Sequence, residues 1–208
     1  MKFPPLILAS ASPRRKILLK QIGLRFSVKP SKVEENVRPS ETPATNAKRI
    51  ALEKARVVRR KVKRGIIIGA DTIVALNGTM LGKPVDARDA RRMLRLLSGR
   101  EHSVYTGVAL VDARTGKSLS GVERTRVRFR KLGTQEIKRY VASGSPMDKA
   151  GAYGIQDDYG AVFVEKVNGC FYNVVGFPLP RFYKELIAFA KRRTVRTKVK
   201  LTTKTPRH

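Results

Sequence analysis

The sequence predicts a mixed α/β fold. Three observations carry this. Short, wholly apolar runs such as Leu6-Ile7-Leu8-Ala9 and Ile66-Ile67-Ile68-Gly69-Ala70 have the character of buried strands. Between them lie segments with apolar residues at helical spacing, several opened by Ser-Pro, Thr-Pro or Asp and closed by glycine. The two kinds of segment alternate along 208 residues, a length that suits one large domain or two small lobes sharing a cleft.

Taken in order, residues 6–9 read as a first strand. Their apolar part is too short for a signal peptide, and Arg14-Arg15-Lys16 follows at once. Ser12-Pro13 supplies an N-cap and a first-turn proline for a helix that carries Ile17, Leu18 and Ile22 and ends at Gly23. Residues 25–28 form a second strand. Thr42-Pro43 opens a helix with the stripe Ala47, Ile50, Ala51, Ala55, Val58, running through Arg64 to Gly65. The strand from Ile66 continues to Leu76, where Asn77-Gly78 marks a type I′ hairpin. Asp86 caps a helix with Ala90, Met93, Leu94 and Leu97 inward. Residues 104–112 and 118–132 read as strands joined near Thr115-Gly116, Thr134 caps a short helix to Val141, 162–167 is a strand, and Pro178 starts a last helix to about Ala190. A folded unit over 1–190 is expected. Residues 191–208 lack apolar content and read as a flexible basic tail.

Composition narrows the chemistry. The lone Cys170 excludes an intramolecular disulfide framework and zinc-finger spacing, and makes a cytoplasmic location the default. With only His102 and His208, histidine-led triads and multi-histidine metal sites have no material, so a metal here is a hard cation on carboxylates. No apolar run approaches the roughly 20 residues of a membrane helix. Lys and Arg number 45 against 16 Asp and Glu, a net charge of +29. Eight of those cations fall after residue 190, and the body stays strongly basic without them. Either the surplus reflects composition across a whole proteome, or the basic surface and tail make non-specific contact with nucleic acid.

Particular residues point to chemistry. In Ser10-Ala11-Ser12-Pro13-Arg14-Arg15, two arginines sit at the positive end of a helix, where cations are disfavoured by about 0.3–1 kcal/mol each. Either both bend into solvent, or an anion such as phosphate joins the free N–H groups and the guanidinium forks there. Lys54 falls on the core-facing stripe of its helix, so it snorkels or serves a buried cleft. Asp71 follows a buried apolar run directly, where an ionised carboxylate needs a cation. Counting outward from the hairpin places it diagonal to Lys83. That allows a simple salt bridge, a metal site or a general base. Glu34-Glu35 is a carboxylate pair in an acid-poor chain, and Asp148 to Gln156 is rich in small residues that let backbone approach a ligand. Neither a Gly-x-x-x-x-Gly-Lys-Ser/Thr loop nor a Gly-x-Gly-x-x-Gly motif is present.

Together these stretches resemble the Maf-like nucleotide pyrophosphatases. The match rests on Ser10 to Arg15 with Leu18-Leu19, Glu35, Glu53-Lys54-Ala55, Gly69-Ala70-Asp71-Thr72, Gly82-Lys83-Pro84, 149–156, and Val174-Val175-Gly176-Phe177-Pro178, in order over about 6–186. The resemblance implies a bent central mixed sheet flanked by helices, with two lobes and a cleft between them. It implies hydrolysis of a nucleoside triphosphate to the monophosphate and pyrophosphate, with a divalent cation, Mg²⁺ or Mn²⁺, and a homodimer. Asp71 is implied as proton acceptor, Glu35 and Asp71 as metal ligands, Arg15, Lys54 and Lys83 as catalytic cations, and Ser10, Ser12 and Arg15 as phosphate-binding. The subfamily acting on dTTP and UTP carries Arg, Thr and Gln at three specificity positions, matched here by Arg14, Thr72 and Gln156. The alternatives are a 7-methyl-GTP pyrophosphatase of the same family and a nucleic-acid-binding protein on the same fold.

Overall fold

β3, Ile66–Leu76, is the strand on which the rest of the molecule is arranged. The computed structural model describes residues 3–156 and 159–201, with 193–201 as backbone alone. In chain order the elements are β1 (Leu6–Leu8), α1 (Pro13–Gln21), β2 (Phe26–Val28), α2 (Pro43–Arg59), β3, β4 (Thr79–Leu81), α3 (Ala87–Leu97), β5 (Glu101–Asp112), β6 (Ser118–Phe129), α4 (Thr134–Ala142), β7 (Val164–Asn168), α5 (Phe171–Val175) and α6 (Leu179–Leu201). Short 3₁₀ turns lie between α4 and β7. The strands form one mixed sheet in the order β2-β1-β3-β5-β6-β7, with β4 paired to β3. β1 runs parallel to both neighbours and the remaining pairs are antiparallel.

Because side chains alternate across a strand, β3 addresses two faces. Ile66, Ile68 and Ala70 join Leu18, Leu19, Phe182 and Leu186 in one core, while Ile67 packs with Ala51, Ala55 and Val58 of α2. Further along, Val74 and Leu76 enter a different core with Leu94, Leu97, Phe129, Tyr140 and Phe163. One strand therefore runs through both cores, and Asp71-Thr72 lies where the first gives way to the second. Asp71 is on the face turned to α2 and Thr72 on the other.

Two glycines set the distance of α2 from the sheet. A Cβ on Gly69 would stand 2.1 Å from the Ala51 carbonyl oxygen, and one on Gly107 would stand 2.1 Å from that of Ala47. Gly107 is the ladder partner of Asp71. The helix thus rests on bare backbone at both sides of the acid. Its stripe is buried as expected, with Lys54 only 5% exposed among it.

The structure departs from the sequence expectations at several places. Ile17 is 57% exposed, and the buried residues of α1 are Arg15, Leu18 and Leu19. α2 stops at Arg59 rather than reaching Arg64. Gly133, not Thr134, is the N-cap of α4, because the Glu136 carboxylate accepts the Gly133 N–H. β5 begins earlier than expected, β6 ends earlier, and β7 begins at Val164 because Tyr159–Phe163 forms a 3₁₀ turn. The last helix continues past Ala190 to Leu201, and 202–208 of the expected tail lie outside the described residues. The type I′ hairpin is as expected: Leu76 pairs with Thr79, and Asn77 and Gly78 have φ of 48° and 83°. The ladder beyond it is not. β4 ends at Leu81, and Gly82-Lys83-Pro84 leaves the sheet ahead of a proline that has no N–H to contribute. Lys83 therefore has no place in that ladder, and on the other edge of β3 Thr72 faces Thr106 of β5.

The close approach of α2 gives a direct check. Gly107→Ala must push Ala47 and its helix outward, so unfolding in urea should show a loss of about 1–3 kcal/mol, the usual cost of overpacking. An unchanged midpoint would mean that the helix shifts freely.

Candidate functional site

A cleft of about 340 Å³ opens at the junction of the two cores. Ser10, Ser12, Arg14, Arg15, Glu35, Lys54, Asp71, Thr72, Lys83 and Gln156 all line it. These residues come from the β1–α1 turn, the first turn of α1, the loop after β2, α2, β3, the segment after β4 and the segment before β7. No helix among the described residues is long and apolar enough to cross a membrane.

Lys54 is the centre of the charge arrangement. Its Nζ donates to Asp71 Oδ1 and to Glu35 Oε1, both at 2.7 Å. Glu35 Oε2 accepts from Lys83 Nζ at 3.1 Å. The cation that answers Asp71 is therefore Lys54, reaching across from α2, and not Lys83 as the hairpin count suggested. Both Lys54 and Asp71 have side chains only 6% exposed, whereas Lys83 is half exposed. Burial pushes the Asp71 carboxyl above its ordinary pKa. The Lys54 ammonium and Arg15 guanidinium oppose that rise without cancelling it. Burial acts the same way on Glu35, but Lys54 and Lys83 outweigh it and hold its carboxyl at about 2. Two neighbouring carboxyls are thus driven apart, one toward protonation and one away from it.

Arg14 and Arg15 take different paths from the same helical turn. Ser12 Oγ caps the turn by accepting the Arg15 N–H. The Arg15 side chain then folds inward. Its Nε donates to Gly176 O, Nη1 to Ala70 O and Ser10 Oγ, and Nη2 to Thr72 Oγ1, at 2.9–3.2 Å. Those bonds use four of its five N–H donors and leave one on Nη2. Burial lowers its pKa from the usual arginine value. Thr72 Oγ1 also meets Thr106 Oγ1 at 3.1 Å. Arg14 turns to the cleft mouth, where Nη1 donates to Asp148 Oδ2 at 2.9 Å and Nη2 to the Asp148 carbonyl at 3.3 Å. The pattern of residues left two destinations for the pair, solvent or an anion. In the fold both side chains reach protein acceptors, and both still line the cleft.

Asp148 and Lys149 were not singled out from the sequence as charged site residues, yet both line the cleft. Lys149 is 7% exposed and donates to Ser145 O, Ser145 Oγ and Asp148 Oδ1. An acid beside a lysine, placed just before a glycine-rich run in an acid-poor chain, is the signal that points to them. Beyond them Gly151 and Ala152 take φ of 71° and 61°. The Gly151 N–H is bonded to Gly82 O, next to Lys83, which seats the segment leading to Gln156 on the hairpin side of the cleft.

The donor set can be tested against a metal. No group of three or more His, Cys, Asp or Glu able to hold an ion exists among the described residues. Glu35 and Asp71 are two carboxylates brought side by side at the Lys54 ammonium. A small hard cation commonly uses one or two carboxylates and takes its other oxygens from water and substrate phosphates. The residues present fit such a shared ion and do not fit a closed protein cage.

The Maf-like protein family profile matches residues 5–189. The chain belongs to the Maf-like family. Among its relatives, a dTTP/UTP pyrophosphatase of Carboxydothermus hydrogenoformans is 51% identical over 179 residues, 86% of this chain and 95% of the relative. One of Syntrophomonas wolfei is 48% identical over 85% of this chain and 93% of its own, and one of Salinibacter ruber 47% over 88% and 90%. The mixed sheet with flanking helices agrees with this Maf-like membership.

The opposed carboxyls of the Maf-like cleft predict a pH dependence. Lys54 lowers the Asp71 pKa, so Lys54→Met removes that effect while burial continues to raise it. A ¹³C NMR titration of the Asp71 carboxyl should show the midpoint moving to higher pH in the variant. A midpoint that stays or falls would show that Lys54 does not govern this acid.

Proposed function

We propose that this chain hydrolyses nucleoside triphosphates, dTTP and UTP foremost, to the monophosphate and pyrophosphate. The observation that carries the reading is the convergence of Asp71, Glu35, Lys54, Lys83 and Arg15 on one cleft, in a family whose members named above act on those nucleotides. Five cations, Arg14, Arg15, Lys54, Lys83 and Lys149, line the cleft beside three acids, Glu35, Asp71 and Asp148, a balance suited to an anionic substrate.

In the proposed mechanism the triphosphate lies across the mouth of α1, near Ser10 and Ser12 and the remaining Arg15 N–H. Asp71 Oδ2, which carries no hydrogen bond among the described residues, accepts a proton from a water. Burial, which raises its pKa, makes it a better proton acceptor than an ordinary carboxylate. The water oxygen bonds to the α-phosphorus. The bond from that phosphorus to the bridging oxygen breaks, and pyrophosphate departs with the electron pair. Lys54, Lys83 and Arg15 stabilise the charge that grows on the phosphoryl oxygens. Glu35 keeps Lys54 and Lys83 in place by accepting from both. Glu35 and Asp71 would hold a divalent cation together with phosphate oxygens, and when bound it supplies further neutralisation of phosphate charge. Gln156 offers one donor and one acceptor, which matches the carbonyl and N–H edge shared by uracil and thymine. Arg14 and Thr72 complete the specificity positions. Cytosine presents a different edge and leaves polar groups unpaired.

Asp71→Asn keeps the shape of the side chain and removes the base. Pyrophosphate release from dTTP should fall at least about 100-fold, the low end for general-base catalysis. Turnover close to that of the parent would overturn the assignment, and release of orthophosphate by the parent would overturn the reaction. Gln156→Ala should alter the ranking of dTTP, UTP, CTP and 7-methyl-GTP more than it alters the best rate. An equal fall for all four would remove Gln156 from base selection.

A further inference from the structure

The end of the sheet opposite the cleft carries a second concentration of charge. β1 and β3 run parallel, and the cleft residues follow the C-terminal end of β1 and the middle of β3. The other end of β3 is Ile66, five residues before Asp71, or about 17 Å along a strand. Two connections meet there. The segment after α2 supplies Arg60, Lys61, Lys63 and Arg64, and the β5–β6 turn supplies Arg114 and Lys117, all exposed. Hydrogen bonds fix the two connections to each other. The Ala113 N–H donates to Gly65 O at 3.0 Å, and Arg59 Nε donates to Ala113 O at 3.2 Å while its guanidinium lies over Gly116. The turn is rigid in its own right, since Asp112 Oδ1 accepts the N–H groups of Arg114 and Thr115.

Acids are distributed in the opposite sense. From 56 to 66 there is none, and from 112 to 118 the one acid is Asp112, only 2% exposed. Elsewhere on the surface several arginines are matched: Arg38 and Arg49 with Glu41, Arg92 with Asp89, Arg128 with Glu165, Arg181 with Glu123. Among the described residues, none of the six cations at this end is in an ion pair. What sets this end apart is that its unpaired cations lie on two connections held to each other by hydrogen bonds. Like charges held together on a fixed scaffold repel one another, and a polyanion relieves that repulsion.

We infer that this end of the molecule binds the phosphate backbone of double-stranded nucleic acid, independently of the cleft. A lipid surface fits less well, because no large apolar residue is exposed on either connection to enter it. Single strands fit less well, because the patch has no aromatic side chain on which bases stack. The interaction is therefore one of charge with backbone and carries no sequence preference.

The test uses the full chain and a short fluorescent duplex DNA, with binding followed by anisotropy between about 50 and 200 mM salt. Replacing Arg60, Lys61, Lys63 and Arg64 together by Gln should reduce the log–log salt slope by up to about 3.6, at about 0.9 for each phosphate that is no longer neutralised. A control variant with Arg88, Arg91, Arg95 and Arg100 replaced by Gln removes the same charge from and just beyond α3 and should keep most of the slope. Pyrophosphate release from dTTP should be unchanged in both, which separates this site from the proposed reaction. An equal reduction in the two variants would overturn the proposal in favour of overall charge. So would tighter binding of the matching single strand, or retention on phosphatidylserine vesicles without binding to duplex.

Discussion

The ion pair between Lys54 and Asp71 is the interaction on which the site depends. Two oppositely charged groups at 2.7 Å, each nearly sealed from water, are costly to bring together and costlier still to separate, because either one left alone is a buried, unanswered charge. The cost is met by geometry. Gly69 and Gly107 let α2 lie directly on the sheet, and the helical period then delivers Lys54 over Asp71 from the same buried stripe that carries Ala51, Ala55 and Val58. Any residue with a Cβ at either glycine would move the ammonium before it disturbed the carboxylate.

From that pair the rest of the cleft extends in two directions. On the α2 side, Glu35 joins Lys54 to Lys83 and draws an otherwise irregular loop toward the sheet. On the other side, Arg15 fastens the start of α1 to the Ala70 and Gly176 carbonyls and to Thr72. Adjacent residues of one strand therefore anchor separate networks through separate faces. This arrangement lets a small protein with few acids bring several cations to a single cleft without scattering them over its surface.

Much of this is legible in the sequence. The continuous apolar run before Asp71, the stripe holding Lys54 and the Asn77-Gly78 turn are local patterns with local physical causes, and they appear where expected. What the sequence does not convey is which distant partner each charge meets. Counting along the hairpin gives Lys83 to Asp71, and the count fails because β4 stops at Leu81, before Lys83 is reached. The inward turn of Arg15 is equally hidden, since two of its acceptors are backbone carbonyls that bear no sequence signature. The ion pair of Arg14 with Asp148 spans 134 residues and belongs to the same class. The helix ends misread at Arg59 and Leu201 have a lesser cause: basic residues tolerate helix and loop alike.

β3 runs through both cores, with its first half among Leu18, Phe182 and Leu186 and its second among Leu94, Phe129 and Phe163. Neither half of the molecule can melt without pulling on the strand that holds Asp71. Partial opening on one side does not leave a working remnant on the other, so a protease or heat that loosens either hydrophobic cluster disables the cleft as a whole. Damage to this protein is therefore expressed as fewer competent molecules and not as a population of impaired ones.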